Sequence, residues 1–447
     1  MGRLFGTDGV RGVANVDLTP ELVFRLGRAA AHVLSTDAGT RFLLGRDTRL
    51  SGPMLEAALT AAVCSAGGTV LSCGILPTPA VAYLTRRVAA SAGVVISASH
   101  NPIEDNGIKV FASDGYKLPD AVEDAIETVL DRHDLPRAVG REVGGAEVLS
   151  DAADIYVDHI ASHVVGSLGG MRVVVDCAYG AACRVASMLW ERLGATVILI
   201  NDEPDGARIN VRCGSTNPEV LRQAVLQHGA DAGFAHDGDA DRVIAVDETG
   251  SIIDGDAIMG VCAMYLHTQG RLARRTVVAT VMSNLGLELA LRRAGIALER
   301  TKVGDRYVLE RMREFGATVG GEQSGHIIFL DHATTGDGAL TAVQVVNVML
   351  ETGQRLSELA APIERFPQVL LNVTVADRGT VTGHPAIEAA VADAERALGP
   401  RGRVLVRPSG TEPLVRVMVE AEDEGEAESL AGHLADLIAR ELRGRRA

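Results

Sequence analysis

The segment HDGDADR at 236–242 places Asp237, Asp239 and Asp241 at alternate positions. Hard carboxylate oxygens at that density suit Mg²⁺ or Ca²⁺. In a flat strand, alternate residues stand roughly 6.6 Å apart, so the loop must curl for all three to reach one ion. An EF-hand reading would put Glu248 at the twelfth position. It fails at the sixth, where Arg242 stands in place of the glycine a sharp turn needs, and the flanks ADAGFA and RVIAVD are β-like rather than helical. Without a metal, the segment is a solvated acidic turn. Three carboxylates and one Mg²⁺ leave a net negative charge, so a phosphate here needs cations, and Arg242 adjoins the loop.

A second group lies in VVISASHNPIEDNGIKVF at 94–111. An apolar strand ends at Ser99, His100, Asn101 and Pro102, which predicts a tight, exposed turn. Ser99 could act as a nucleophile, but no G-x-S-x-G elbow surrounds it, and an adjacent His100 is poorly placed as its base. A serine that exchanges phosphoryl groups fits better, its charge met by a metal and Lys109. In GGEQSGH at 320–326, Glu322, Gln323 and Ser324 offer mixed donors and acceptors for hydroxyls or an amine; a plain hairpin turn is the alternative. In RPSGTEPLVR at 407–416, Arg407, Ser409, Thr411, the amides around Gly410 and Arg416 could cradle an anion, although an ordinary loop reads the same way. GTDGVRG at 6–12 sets Arg11 in a glycine-flanked turn that could face phosphate. Only three of the 43 basic residues are lysines (Lys109, Lys117 and Lys302). Taken together, a metal site, a phosphorylatable serine, a hydroxyl-reading loop and a separate anion cradle describe a sugar-phosphate enzyme.

Short apolar runs alternating with amphipathic stretches must position these residues. Arg41–Leu44, GGTVLSC and AGVVISAS read as strands of one block. MRVVVDC and ATVILI flank a helix over AACRVASMLWERLG in a second, and TVVATVM and IALERT flank LGLELALRRAG in a third. Strands separated by helices predict βαβ units and largely parallel sheets. The three blocks share a rhythm without a residue-level repeat. A tail with strands at 368–376, 403–407 and 414–420 and helices at 384–398 and 424–442 reads as a small α+β domain. The expected division is 1–150 with the serine loop, 151–254 with the aspartate loop, 255–367 with the sugar-recognition loop, and 368–447 with the anion cradle.

Composition narrows the function further. At 47% hydrophobic and 23% charged, the 447-residue chain is ordinary globular protein with ample core. A formal charge of −15 argues against nucleic-acid and anionic-membrane partners, and 3% aromatics argue against a base-stacking platform. The apolar stretches near 257–266 and 339–350 are too short to span a bilayer and read as buried helices. Six scattered cysteines without a Cys-x-x-Cys pair, and an N-terminus without an apolar signal core, predict reduced thiols and a cytoplasmic location.

The ordered motifs GTDGVRG, SASHNP, DGDADR, GEQSGH and RPSGTEP resemble those of the α-D-phosphohexomutase superfamily, and RTKVGDRYV at 300–308 resembles its bacterial glucosamine branch. The likeness runs over essentially the whole chain; Ser97, where relatives often have threonine, is a conservative change. It implies an α/β fold of three similar mixed α/β domains and a smaller C-terminal α+β domain around a central cleft. It implies that Ser99 is a phosphoserine and that Asp237, Asp239 and Asp241 bind one Mg²⁺ together with a phosphoserine oxygen. Glu322 and Ser324, beside Gln323, would contact sugar hydroxyls, and Arg407, Ser409, Gly410 and Thr411 would grip the non-reacting phosphate. The implied reaction interconverts glucosamine 6-phosphate and glucosamine 1-phosphate through a 1,6-bisphosphate that turns end for end, with a sugar 1,6-bisphosphate as primer and a product that feeds cell-wall precursor synthesis. The lysine matching Lys109 sits beside the phosphoserine. Crowded by Arg242 and a metal, it could have its pKa lowered and act as a base, with His326 as the competing acid/base. The partner is then a small amino-sugar phosphate, and a homodimer stays open. Phosphomannomutase or phosphoglucomutase activity is the nearest alternative; a Mg²⁺-dependent phosphatase and a non-catalytic sugar-phosphate binder are the readings of other classes.

Overall fold

The computed structural model describes residues 3–36, 39–409 and 413–446. They form two compact units, Met1–Met282 with Gly295–Ala361, and Ser283–Ala294 with Pro362–Ala447.

The first unit holds three sheets. The strands β1 (Val10–Val13), β2 (Arg41–Arg46), β3 (Thr69–Ile75), β4 (Ala92–Ile96), β5 (Asp105–Ala112) and β6 (Ala146–Val148) lie in the order β1-β5-β4-β2-β3-β6. In the second sheet, β7 (Arg172–Asp176), β8 (Thr196–Ile200), β9 (Ala232–His236), β10 (Val243–Asp247) and β11 (Ile252–Ile253) run β11-β10-β9-β7-β8. In the third, β12 (Thr276–Thr280), β13 (Ala297–Thr301), β14 (Val319–Gly321) and β15 (Ile327–Phe329) run β13-β12-β14-β15.

A shared plan underlies all three. A central strand (β2, β7 or β12) has a parallel neighbour on each side, and the third strand is followed by an antiparallel return: β5 on β4, β10 on β9, β15 on β14. The sheets are therefore mixed rather than largely parallel. The reason is local: a parallel partner needs a crossover of a dozen or more residues, whereas 97–104, 237–242 and 322–326 are too short for one and close hairpins instead. The three motifs with the strongest chemistry thus occupy one topological position, repeated three times.

The two apolar stretches become the helices Gly255–Thr268 and Gly338–Thr352, largely buried as expected. Asp337 caps the second by accepting from Leu340 N (2.9 Å), and Gly353, in the left-handed region, ends it. Between Gly180 and Leu193 the expected single helix is a 3₁₀ turn at Ala181–Arg184 followed by a helix at Ala186–Arg192, because β-branched Val185 leaves the helical region between them. Among the described residues, no helix is long and apolar enough to cross a membrane.

In the second unit, β16 (Gln368–Thr374), β17 (Gly402–Pro408), β18 (Leu414–Ala421) and β19 (Arg445–Arg446) form an antiparallel sheet in the order β17-β18-β16-β19. The helices Pro385–Leu398 and Glu424–Glu441 cover it, burying Val373, Val417, Leu434 and Ile438. The helix Leu285–Arg293, which lies between β12 and β13 in the chain, packs with this unit. The Asn284 side chain donates to Phe366 O (2.9 Å) and accepts from Phe366 N (3.0 Å), and buried Glu420 accepts from Leu285 N (3.1 Å).

Candidate active site

Between β9 and β10 the aspartate loop curls, helped by Ala240 in the left-handed region (φ 55°). The curl brings one oxygen of each of Asp237, Asp239 and Asp241 within 4.8 Å of the others, and all three side chains are buried. Asp239 Oδ2 accepts from Thr78 Oγ1 (2.5 Å) and Lys109 Nζ (2.8 Å), and Asp241 Oδ2 accepts from Lys109 Nζ (3.3 Å). The other oxygens, Asp239 Oδ1 and Asp241 Oδ1, are buried with no hydrogen-bond partner. Orphaned buried carboxylate oxygens are costly unless a cation meets them, so the donor set fits a hard divalent ion. Burial, then the charges of Asp241 and Asp239, push Asp237 well above the usual carboxylate range. A dication here would remove that penalty.

Ser99 follows β4 in the hairpin to β5. It is buried, not exposed as its polar surroundings predict, because the aspartate loop lies directly over it. Ser99 Oγ donates to Asp237 Oδ2 (2.5 Å), and a Cβ added to Gly238 would come within 2.7 Å of Ser99 O. Only glycine permits that approach. Ser99 itself holds φ 53°, a conformation L-residues with side chains avoid. The His100 ring nitrogen Nδ1 lies 3.4 Å from Ser99 Oγ, and burial lowers the pKa of His100 to about 4.

Lys109 lies mid-way along β5. Its ammonium is buried among Asp239 (2.8 Å), Asp8 (3.2 Å) and Asp241 (3.3 Å). The expectation of a depressed pKa is reversed: burial alone lowers it, but Asp239, Asp8 and Asp241 outweigh burial and hold it well above the lysine value. Arg242 Nε lies 3.8 Å from Asp241 Oδ1, and its backbone N donates to Asp237 Oδ1 (3.2 Å). Arg11 belongs to strand β1, paired opposite Gly107, not to a turn; it bonds Asp8 and Asn101 Oδ1 (3.3 Å).

The third hairpin holds Glu322, Gln323 and Ser324. Glu322 Oε1 accepts from Gly304 N (3.1 Å), Gln323 Nε2 lies 3.4 Å from Asp254 Oδ2, and Ser324 is exposed. His326, buried at the start of β15, has Nδ1 3.6 Å from Asp241 and Nε2 3.6 Å from Asp305. Burial opposes its protonation; Asp241 and then Asp305 overcome this and raise its pKa. Gly336 N donates to Nε2 (3.1 Å), which places a lone pair there and the proton of the neutral ring on Nδ1, towards Asp241.

Three members of this site are not among the candidate residues: Asp8, although it lies within GTDGVRG, Asp305, although it lies within RTKVGDRYV, and Lys117. Lys117 bonds Asp8 (2.5 Å) and Asp305. A closed ring of polar contacts results, running Asp241, Lys109, Asp8, Lys117, Asp305, His326 and back to Asp241, in which the two lysines alternate with the three carboxylates and His326 closes the circuit. The scarcity of lysine was the one sequence signal for Lys117. Beside the ring, a pocket of about 420 Å³ is lined by Arg11, Arg242, Asp305, Glu322 and His326, among others. That volume accommodates a small polar ligand such as a phosphosugar.

In the second unit, Arg407 on β17 and Arg416 on β18 are direct cross-strand partners. Burial and the neighbouring Arg416 lower the pKa of Arg407. Like charges set directly opposite one another repel. Buried Ser409 follows, its N donating to Leu414 O (2.9 Å). Gly410 and Thr411 lie outside the described residues.

Models of the phosphoglucomutase/phosphomannomutase family match in sequence: α/β/α domain I at 2–137, domain II at 154–250, domain III at 254–366 and the C-terminal domain at 370–437. A phosphoglucosamine mutase of Moorella thermoacetica is 57% identical over 437 residues, covering 97% of this chain and 98% of that protein. One from Saccharopolyspora erythraea is 57% identical over 442 residues, covering 98% and 99%. The chain belongs to the phosphoglucosamine mutase family of the α-D-phosphohexomutase superfamily. Solved structures share the fold at low identity. A phosphoglucomutase/phosphomannomutase family protein of Burkholderia thailandensis has a TM-score of 0.82 at 24% identity, covering 98% of this chain and 97% of its own. An Aspergillus fumigatus N-acetylphosphoglucosamine mutase, solved with GlcNAc-6P and magnesium, has a TM-score of 0.71 at 19% identity, covering 98% and 96%.

Proposed function

We propose that the chain interconverts glucosamine 6-phosphate and glucosamine 1-phosphate, with Ser99 as the phosphoryl carrier. The contact of Ser99 Oγ with Asp237, inside a carboxylate cluster with orphaned oxygens, carries this reading. The relatives named for that activity support the substrate assignment. One Mg²⁺ held by Asp237, Asp239, Asp241 and a phosphoserine oxygen would neutralise phosphoryl charge.

The chain's own groups do the rest. The bond between phosphorus and Ser99 Oγ breaks as a bond to the free sugar hydroxyl forms, and the hydroxyl proton passes to His326, since Lys109 is held as an ammonium. Lys109 and Arg242 offset the charge of the moving group. Glu322, Gln323 and Ser324 read the sugar, and Arg407, Ser409 and Arg416, with Gly410 and Thr411, hold the phosphate that does not react. The resulting 1,6-bisphosphate turns and returns its other phosphoryl group to Ser99; a trace of sugar bisphosphate primes the unphosphorylated serine.

Phosphorus NMR of the protein with glucosamine 6-phosphate, Mg²⁺ and a trace of glucose 1,6-bisphosphate tests the reading. The 1-phosphate resonance should grow to equilibrium. Growth of inorganic phosphate alone would instead mark a phosphatase. A higher kcat/KM for glucose or mannose 6-phosphate than for the amino sugar would move the chain to the neighbouring branches of the superfamily.

A further inference from the structure

The segment GRDTRLSG, which leads out of β2, holds a fully buried pair, Asp47 and Arg49, that the reaction outlined above does not use. The guanidinium of Arg49 has five N–H donors, and all five are engaged. Nε donates to Asp47 Oδ2 (3.0 Å). The Nη2 group donates to Ser99 O (2.9 Å) and Asn101 O (2.8 Å), and Nη1 donates to Asp105 O (2.9 Å) and Pro102 O. Four main-chain carbonyls of one hairpin, that of Ser99 and three that follow it, therefore converge on one side chain.

Asp47 completes the arrangement. Its Oδ1 accepts from Arg49 N (2.9 Å) and its Oδ2 accepts from Ser97 Oγ (2.6 Å); that hydroxyl in turn accepts from Ser99 N (2.9 Å). The main-chain N–H and C=O of Ser99 are thus both tied to one buried network. Asn210 Nδ2 adds a second donor to Ser99 O (2.9 Å). Ser99 sits at positive φ, which a non-glycine residue keeps only where its surroundings over-determine it.

We propose that Arg49, anchored by Asp47, is a positioning residue that holds Ser99 in its left-handed conformation and so aims Oγ at Asp237 for phosphoryl transfer. The proposal rests on Ser99 being the phosphoryl carrier. A guanidinium is required because its planar fork reaches four carbonyls at once, whereas a lysine ammonium has three donors on a single atom. Reactions that depend on such alignment lose rate steeply with small displacements. Arg49 touches neither the pocket residues nor the orphaned oxygens, so its loss should spare ground-state binding.

The test uses Arg49→Lys and Ser97→Ala beside the unaltered enzyme. Phosphate transferred from glucose 1,6-bisphosphate to Ser99 is followed by peptide mapping, and kcat and KM are measured per phosphorylated chain, which removes any unfolded fraction. Arg49→Lys should lower kcat and the phosphorylation rate about 100-fold or more while KM moves less than about threefold. Ser97→Ala, which removes one hydroxyl and tests the network if Arg49→Lys does not fold, should lower both rates about tenfold. Rates within threefold of the unaltered enzyme in the folded variants would overturn the proposal alone. Failure of the unaltered enzyme to take phosphate on Ser99 would overturn the assignment of Ser99 and the proposal with it.

Discussion

The hairpins 97–104 and 237–242 close equivalent strand pairs in two sheets, yet they are held in opposite ways. In the first, the main chain is gripped: carbonyls from Ser99 to Asp105 are bound by a buried guanidinium, and the side chain of Ser99 is left to meet a partner. In the second, the side chains are gripped: three buried carboxylates take bonds from Thr78, Lys109 and Ser99 and keep two oxygens without a hydrogen bond. One loop fixes where a nucleophile stands, and the other concentrates charge for a cation. Damage to the first should therefore appear as lost alignment, and damage to the second as lost charge balance.

Removing the nucleophile should have the largest effect. Ser99→Ala is expected to lower kcat by roughly 10⁴-fold or more. Its stability should change by only about 1 kcal/mol, one hydrogen bond being lost while the backbone strain stays. Activity assays with a thermal melt check both halves; substantial turnover in a folded Ser99→Ala protein would end the comparison. Next comes the charge of the second loop. EDTA should abolish turnover and Mg²⁺ restore it, and Asp239→Asn should lower kcat roughly 10²–10³-fold at fixed Mg²⁺, with partial recovery as Mg²⁺ is raised. Full activity in metal-free buffer would contradict it.

Lys109 stands against the second loop, and its variants separate charge from proton transfer. Held by three carboxylates, it should act chiefly as a cation. Lys109→Arg should then retain at least about tenfold more activity than Lys109→Ala, with an unchanged pH profile. Equal losses in the two variants would restore the acid/base role and remove His326 from first place. The smallest effect concerns a histidine outside both loops. His163, which packs against the rings of His159 and His332, has its pKa lowered to about 4 by burial first and then by those two neighbours. An unfolded histidine titrates near 6.5. The unfolded chain thus binds more protons between those values, and stability is full above pH 6.5 and declines as pH falls towards 4. Urea unfolding at pH 7.5 and pH 5 should show a smaller decline in His163→Gln than in the unaltered protein; equal declines would exclude His163 as a contributor.

Much of the site is legible in the residue order because its ligands come in short runs. Alternating aspartates, the serine at a strand end and the glycine-flanked Glu322 each announce themselves locally. The helices Gly255–Thr268 and Gly338–Thr352 are equally plain, since unbroken apolar runs of that length must be buried. What is not legible is set by contacts between distant parts of the chain. Ser99 reads as an exposed turn because its burial comes from a loop 138 residues away. Lys109 reads as crowded by cations because Asp8 and Asp239, which surround it, lie 101 residues before it and 130 after it. Arg49 gives no sign at all, since a guanidinium that binds carbonyls needs no particular side chain in its partner loop. The mixed sheets are hidden for a smaller reason: the strand–helix rhythm speaks only for crossovers, whereas the shortness of the three hairpin loops forbids a parallel one.

Whether Ser99 passes its phosphoryl group to the sugar and takes one back is read most directly from a chase of labelled phosphoenzyme. Protein carrying ³²P on Ser99 is mixed with unlabelled glucosamine 6-phosphate and Mg²⁺, quenched within a single turnover, and its label separated by chromatography. The account predicts that label leaves Ser99 for the sugar bisphosphate first and then for the hexosamine monophosphates. Label that stays on the protein through many turnovers, or that leaves only as inorganic phosphate, would contradict it.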